Sequence, residues 1–360
     1  MIRESHRRKV KTPNQHQGQR DVAWERMRQL SWYFVCATVL LGFACLLALG
    51  ATPVCAQIRN LQELNATDIQ GLDLQRTVVI IPGGILEEHG PYLPSFTDGY
   101  VNEYLSRHVA EAVVARPGWT VLLFTVIPLG DGGANQVGKK QVFAGTYHVH
   151  FSTLRAVFMD VASELGEAGF RWVFVVSAHG ALRHQQALDQ ASDFFTDAYG
   201  GKMVHLTGLV PTSPTPSFLN LTDAERQQNG LDVHAGMTET SEMLFLRPEL
   251  VAPGYRHAQP QSGSSWRELV DLGMRPGWPG YFGAPALATA ARGAAILRSQ
   301  SQDFAKLALR ILDGFDYRTL QRRADQQLTD EAIKDYNAAA DEHARTVQVK
   351  QLAWLRAKGL

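Results

Sequence analysis

Short apolar, β-branched runs alternate along this chain with longer amphipathic stretches, and that alternation most constrains its fold. "RTVVIIPGG" (76–84), "TVLLFTVIPLG" (120–130), "FRWVFVVSAHG" (170–180) and "KMVHLTGLV" (202–210) have the length and branching of buried strands. Residues 101–116, 151–169 and 184–200 lie between them with apolar side chains at helical spacing. Strands that alternate with helices predict a parallel or mixed sheet covered on both faces. The Gly/Pro/Ser-rich parts, 211–217 and 253–285, read as loops. Residues 317–360 read as a charged, helical, peripheral extension. In sheets of this kind, sites form beyond the carboxyl ends of the strands. "EEHG" and "SAHG" each begin where an apolar run stops.

The first 56 residues read differently. Residues 32–50, "WYFVCATVLLGFACLLALG", follow a basic segment and precede "TPVCAQ", with Val54 and Ala56 as small residues before a cleavage point. That pattern predicts a signal peptide over 1–56, with Met27 as a possible true start, and a periplasmic or secreted protein. An uncleaved anchor is the alternative, since the run is long enough to span a bilayer. Any membrane contact is expected through this segment only. All three cysteines, Cys36, Cys45 and Cys55, fall within it. An exported chain starting at Gln57 would therefore depend on its core rather than on disulfides. Lysine plus arginine equals aspartate plus glutamate, 35 each, and no basic run is interleaved with aromatics, which argues against nucleic acid as a partner.

The chemistry concentrates in "GGILEEHGPYLPSFTDG" (83–99). Glu87 and His89 lie two apart, on one side of an extended segment. Asp98 follows after a proline-bounded turn, His179 ends another strand, and "DVHAGMTETSEM" (232–243) adds His234 and Glu239. Carboxylates with imidazoles suit Zn²⁺, Mn²⁺ or Fe²⁺. No Ser sits in a Gly-x-Ser-x-Gly elbow, so the expected nucleophile is water activated by metal. "YHVHF" places His148 and His150 on one face as a second candidate ligand pair. His184 reads as a polar helix position, Arg183 as a solvated charge that could meet an acidic substrate, and Thr240 and Ser241 as caps of a helix over "SEMLFLR".

"EEHGPYLPSFTD" resembles the signature of the creatininase (creatinine amidohydrolase) family. "HAGMTETS", "FAGT" (143–146) and "GYFGAPALATAARG" (280–293) resemble three later motifs of that family, in the same order. The resemblance covers about residues 76–300. It implies a three-layer α/β/α fold with a mostly parallel sheet over a catalytic domain at 57–316. It also implies a site for two divalent ions, hydrolysis of a small cyclic or non-peptide amide, and a homo-oligomer, often a hexamer. Its metal positions map onto Glu87, His89, Asp98 as the bridge, and His179, with Glu239 the remaining carboxylate for the second ion. His234 is then placed to hold the substrate carbonyl or to pass a proton to the leaving nitrogen.

The chain also departs from the family. "SAHGAL" stands where Asn-Gly-His-Gly-Gly-Asn is usual, so Ser177 and Leu182 replace two amides able to orient substrate, and Ala181 occupies the place of a further ligand. Tyr92, Gly230 or Leu231, and Ala284 replace a histidine, a tryptophan and an aspartate. The metal frame is kept better than the substrate frame, which argues against creatinine itself. An exported metal-dependent amidohydrolase is the leading expectation. The alternatives are a peptide-trimming maturase-like enzyme and a non-catalytic metal- or ligand-binding descendant.

Overall fold

The computed structural model describes residues 57–209 and 217–360. The signal segment, its cysteines and most of the 211–217 loop lie outside the described residues. Five strands form one sheet: β1 (Ile58–Asn60), β2 (Thr77–Pro82), β3 (Thr120–Leu123), β4 (Trp172–Val176) and β5 (Lys202–His205). Their order is β1-β3-β2-β4-β5, and every pairing is parallel. β2 lies at the centre, and all six of its residues are buried, as a strand covered on both faces requires.

The helices are α1 (Ala66–Gln70), α2 (Thr97–Val114), α3 (Phe151–Glu167), α4 (Leu182–Tyr199), α5 (Asp223–Asn229), α6 (Met237–Leu246), α7 (Trp266–Met274), α8 (Ala290–Leu312), α9 (Arg323–Gln327) and α10 (Glu331–Ala357). The two-residue period of the strands divides the core. Val78, Ile80, Phe174 and Val176 pack against Val101 and Leu105 of α2 and against Phe304 and Leu307 of α8. Val79, Ile81, Val173 and Val175 face the other way, onto Leu154 and Phe158 of α3 and Leu188 and Phe195 of α4. This is the expected three-layer α/β/α arrangement. Phe158, Phe174 and Phe195 are fully buried, and truncating one to alanine should cost about 3–5 kcal/mol.

The chain leaves β2 for β3 on one side and then crosses back over β2 to β4. The first crossover, α2, covers one face, and the second, α3, covers the other. Right-handed crossovers in opposite directions require that placement. Such a reversal opens a crevice at the carboxyl ends of the central strands.

Three local expectations are revised. The 253–285 segment is not all loop, because Ser265 accepts a hydrogen bond from the Glu268 amide and starts α7. Thr240 and Ser241 do not cap a helix; they lie inside α6, fully buried, and the Ser241 hydroxyl accepts from the Thr289 amide. The segment after residue 317 is not merely peripheral: Ala324, Ile333 and Tyr336 are buried beside Leu182, Trp278 and Phe282.

Candidate active site

β2 and β4 end side by side, and their following loops carry the chemistry. A Cβ at Gly83 would lie 2.7 Å from the Ser177 Cβ, so only glycine lets these ends approach so closely. Asn102 of α2 joins them: its amide donates to the Gly83 carbonyl (2.8 Å), and its oxygen accepts from the Ala178 amide (2.7 Å). Asp98 lies in the first turn of α2, where the helix N-terminus favours a carboxylate. Glu239 takes the same place in α6. Between His234 and α6, Ala235 adopts a left-handed φ of 47° and donates its amide to Glu239 Oε2 (2.5 Å). A non-glycine residue in that region stores strain that its surroundings must hold.

These elements bring all six expected residues together. His179 Nδ1 lies 3.1 Å from Glu87 Oε2 and 3.4 Å from Asp98 Oδ2. His89 Nε2 lies 3.6 Å from Glu239 Oε2 and 3.8 Å from Asp98 Oδ2. His234 Nδ1 lies 3.6 Å from Glu87 Oε1 and 3.9 Å from Glu239 Oε2. Glu87, Asp98 and His179 form one compact ligand group, and His89, Asp98 and Glu239 form another; Asp98 is common to both. Glu87, His89 and His234 form a third.

Each imidazole is held at its other nitrogen by a backbone carbonyl. His89 Nδ1 lies 3.1 Å from the Glu87 carbonyl, His179 Nε2 lies 2.7 Å from that of Gly132, and His234 Nε2 lies 2.6 Å from that of Glu88. A neutral ring that donates its proton there turns a lone pair into the cluster, as metal-ligating histidines do. Glu87 Oε2, His89 Nε2 and Asp98 Oδ2 are buried without hydrogen-bond partners. Buried polar atoms are rarely left so unless an ion or water completes them.

The electrostatics agree with a site that attracts cations. Burial disfavours charge on His89, but Glu239 and Asp98 outweigh it and lift the ring to about 9. His179 is raised well above its ordinary value in the same way, by Glu87 and Asp98 against burial. Burial opposes ionisation of Glu87 and Asp98, yet the facing histidines hold both below the usual carboxylate range. Burial pushes Glu239 up to about 7 and His234 down to about 4. The donor set therefore fits divalent ions.

A cavity of about 190 Å³ opens on Glu87, Asp98, His179, His234 and Glu239. The other candidates lie elsewhere or are already engaged. His148 Nδ1 pairs with Asp131 at 3.3 Å, and neither His148 nor His150 joins a ligand group among the described residues. Arg183 pairs with Asp341. His184 is a polar position within α4, as expected; it is fully buried, and its Nε2 lies 2.8 Å from the Ser177 hydroxyl. Ser177 and Leu182 are buried as well, and neither lines the cavity. The serine–histidine pair has no exposed surface from which to attack a substrate.

Glu88, Asn102, Gln185 and residues after 317 also shape the site, beyond those expected from the sequence. The Glu88 carboxyl is buried, accepts from the Gly90 amide at 2.9 Å and is pushed up to about 8, chiefly by burial. Gln185 donates to the His179 carbonyl. The doubled glutamate was a usable signal for Glu88; nothing local marks the others.

The creatinine amidohydrolase family model matches residues 62–308. A mycofactocin precursor peptide peptidase of Mycobacterium ulcerans (strain Agy99) is 27% identical over 253 residues, covering 68% of this chain and 89% of that protein. A solved structure named Creatininase Mn aligns with a TM-score of 0.52 at 20% identity, over 70% of this chain and 97% of that one. A creatininase mutant described as Zn-Zn type aligns with a TM-score of 0.50 at 21% identity, over 69% and 96%. These structures share the fold, the family model spans well over half of the sequence, and the chain belongs to the creatininase family.

Proposed function

We propose that this protein is a metal-dependent amidohydrolase that cleaves a C–N bond of a small cyclic or non-peptide amide. The observation that carries this reading is the pair of largely buried ligand groups that share Asp98 beside a cavity. Glu87 and His179 would hold one divalent ion with Asp98, and His89 and Glu239 the other. The manganese and zinc named for two solved relatives support Mn²⁺ or Zn²⁺ as the ions; the same donors suit Fe²⁺. Such ions, when bound, lower the pKa of water to about 7 and polarise a carbonyl.

The protein's own residues would do the rest. His234 turns Nδ1 toward Glu87 and Glu239 while Nε2 is held by the Glu88 carbonyl. Burial keeps this ring neutral near pH 7. It would therefore take up a proton at Nδ1 before delivering it to the leaving nitrogen. Glu87 and Glu239 both face Nδ1, at 3.6 and 3.9 Å.

A second reading has its own support, because the curated relatives are named as peptidases of a precursor peptide. Short peptides therefore belong in the test panel. Metal analysis of the purified protein, followed by turnover on cyclic amides, N-acyl compounds and short peptides, tests both readings. A metal-free protein that still turns over substrate sinks the proposal. Turnover of peptides alone replaces the first substrate class with the second.

The small-residue cleavage pattern before Gln57 supports export to the periplasm. N-terminal sequencing of the exported protein tests it; a product retaining residues 32–50 contradicts it.

A further inference from the structure

The family match stops at residue 308, yet the wall of the cavity does not. Arg323 and Gln327 of α9 and Tyr336 and Asn337 of α10 line the same space as Glu87, Asp98 and His179. They are held firmly in place. Arg322 binds Asp193 through both terminal nitrogens (2.8 and 2.6 Å), and Gln327 Nε2 donates to the Gly180 carbonyl at 2.8 Å, one residue beyond His179. Ala324, Ile333 and Tyr336 are packed in the core, and the Tyr336 ring lies 6.3 Å from that of Trp266.

Within this wall Arg323 is the exception. It makes no hydrogen bond or ion pair among the described residues, whereas neighbouring Arg322 has Asp193 and Arg183 has Asp341. Its side chain is packed against the loop after His179, where a Cβ on Gly180 would come within 3.1 Å of Nη2. An arginine stays charged at any physiological pH. A partly desolvated cation without a counter-ion is costly, and a ligand that supplies the anion removes that cost. Gln327 Oε1 is also buried without a partner. Glu87 and Asp98, which the facing histidines keep ionised against burial, line the same cavity. That surrounding field disfavours a multiply charged anion such as phosphate and leaves room for a single negative charge.

The geometry points to Arg323 as the recognition group for a carboxylate on the substrate, so that the amide cleaved here carries an acidic group, as an N-acyl amino acid does. This rests on the reading of the cavity as a substrate site. It adds that the C-terminal extension, beyond the segment matched by the family, decides which amides enter.

The experiment compares two ligands that differ only in charge. N-acetylglycine and N-acetylglycinamide are titrated calorimetrically into the full-length, manganese-loaded protein. Wild type should bind the carboxylate about 10–100-fold more tightly, the range expected for charge-assisted hydrogen bonds to arginine. Arg323→Gln should bring the ratio near one, and Arg323→Lys should restore part of it. If Arg323→Gln does not fold, Arg323→Met serves in its place, because it removes the charge while keeping an apolar stem of similar length in the same packing, and it should lower the same ratio. A wild-type ratio near one, or a ratio unchanged by both substitutions, overturns the assignment. The dissociation constants are taken from the binding phase, before product accumulates, so the ratio separates this inference from the hydrolase reading, which stands or falls on metal content and product formation.

Discussion

His179 Nδ1 lies 3.1 Å from Glu87 Oε2, although the two residues leave different strands and lie far apart in sequence. The contact depends on how the ends of β2 and β4 are fastened together. Asn102 does much of this by bonding the Gly83 carbonyl and the Ala178 amide at once. It is fully buried, so no water replaces it. Asn102→Ala leaves the buried Gly83 carbonyl and the part-buried Ala178 amide unpaired, and a buried group so left costs about 1–3 kcal/mol. Urea unfolding should show a loss of about 2–4 kcal/mol. Metal content should fall as well, although Asn102 touches no ligand atom. A variant with wild-type stability and full metal would show that the strand ends do not need this clamp.

Asp98 belongs to both compact ligand groups, whereas Glu87 belongs to only one of those two. Asp98→Ala should therefore release both ions. Glu87→Ala should keep the one held by His89, Asp98 and Glu239. Elemental analysis after dialysis decides the point, and equal, full occupancy in wild type and Asp98→Ala rules out a shared ligand.

Chelator should abolish turnover, and Mn²⁺ or Zn²⁺ should restore it. His234→Ala should lower turnover about 10²–10⁴-fold, the usual contribution of a positioned acid–base group, with metal retained. His179→Ala should lose metal, because its Nδ1 faces both Glu87 and Asp98. If His234→Ala empties the site instead, the ring is a ligand, as its grouping with Glu87 and His89 also allows.

Acid should weaken the contact between α5 and α8. Hydrogen bonds from Arg292 and from Thr222 hold the Glu225 carboxyl at about 2, below its ordinary 4.5. Its pKa is depressed in the folded state, so the stabilisation is present above 4.5 and is lost as pH falls toward about 2. The thermal midpoint of wild type should exceed that of Glu225→Gln at pH 6, and the gap should close by pH 2. The pair with Arg292 is only part-buried, so the gap should also shrink in high salt. A gap that stays constant across this range means that ionisation of Glu225 contributes nothing.

The sequence by itself determined what depends on neighbours along the chain. A run such as Val78 to Ile81 can only be buried on both faces, because alternate side chains point to opposite layers. That alone implied a covered parallel sheet with its chemistry at the strand ends, where Glu87, His89 and His179 lie. Distance along the chain hid the rest. Asn102 looks like one polar residue on a helix, and only the crossover of α2 sets it between Gly83 and Ala178. Ser177 and Leu182 resemble altered substrate contacts in sequence, but the close approach of β2 to β4 and the seat of α4 put both in the core. Arg323 lies in a segment whose charge reads as solvated surface. The packing of Ile333 and Tyr336 against Leu182 and Phe282 carries it to the cavity instead. Which polar residues face that cavity was decided by how apolar side chains distant in sequence could pack, a non-local outcome that no short window of residues contains.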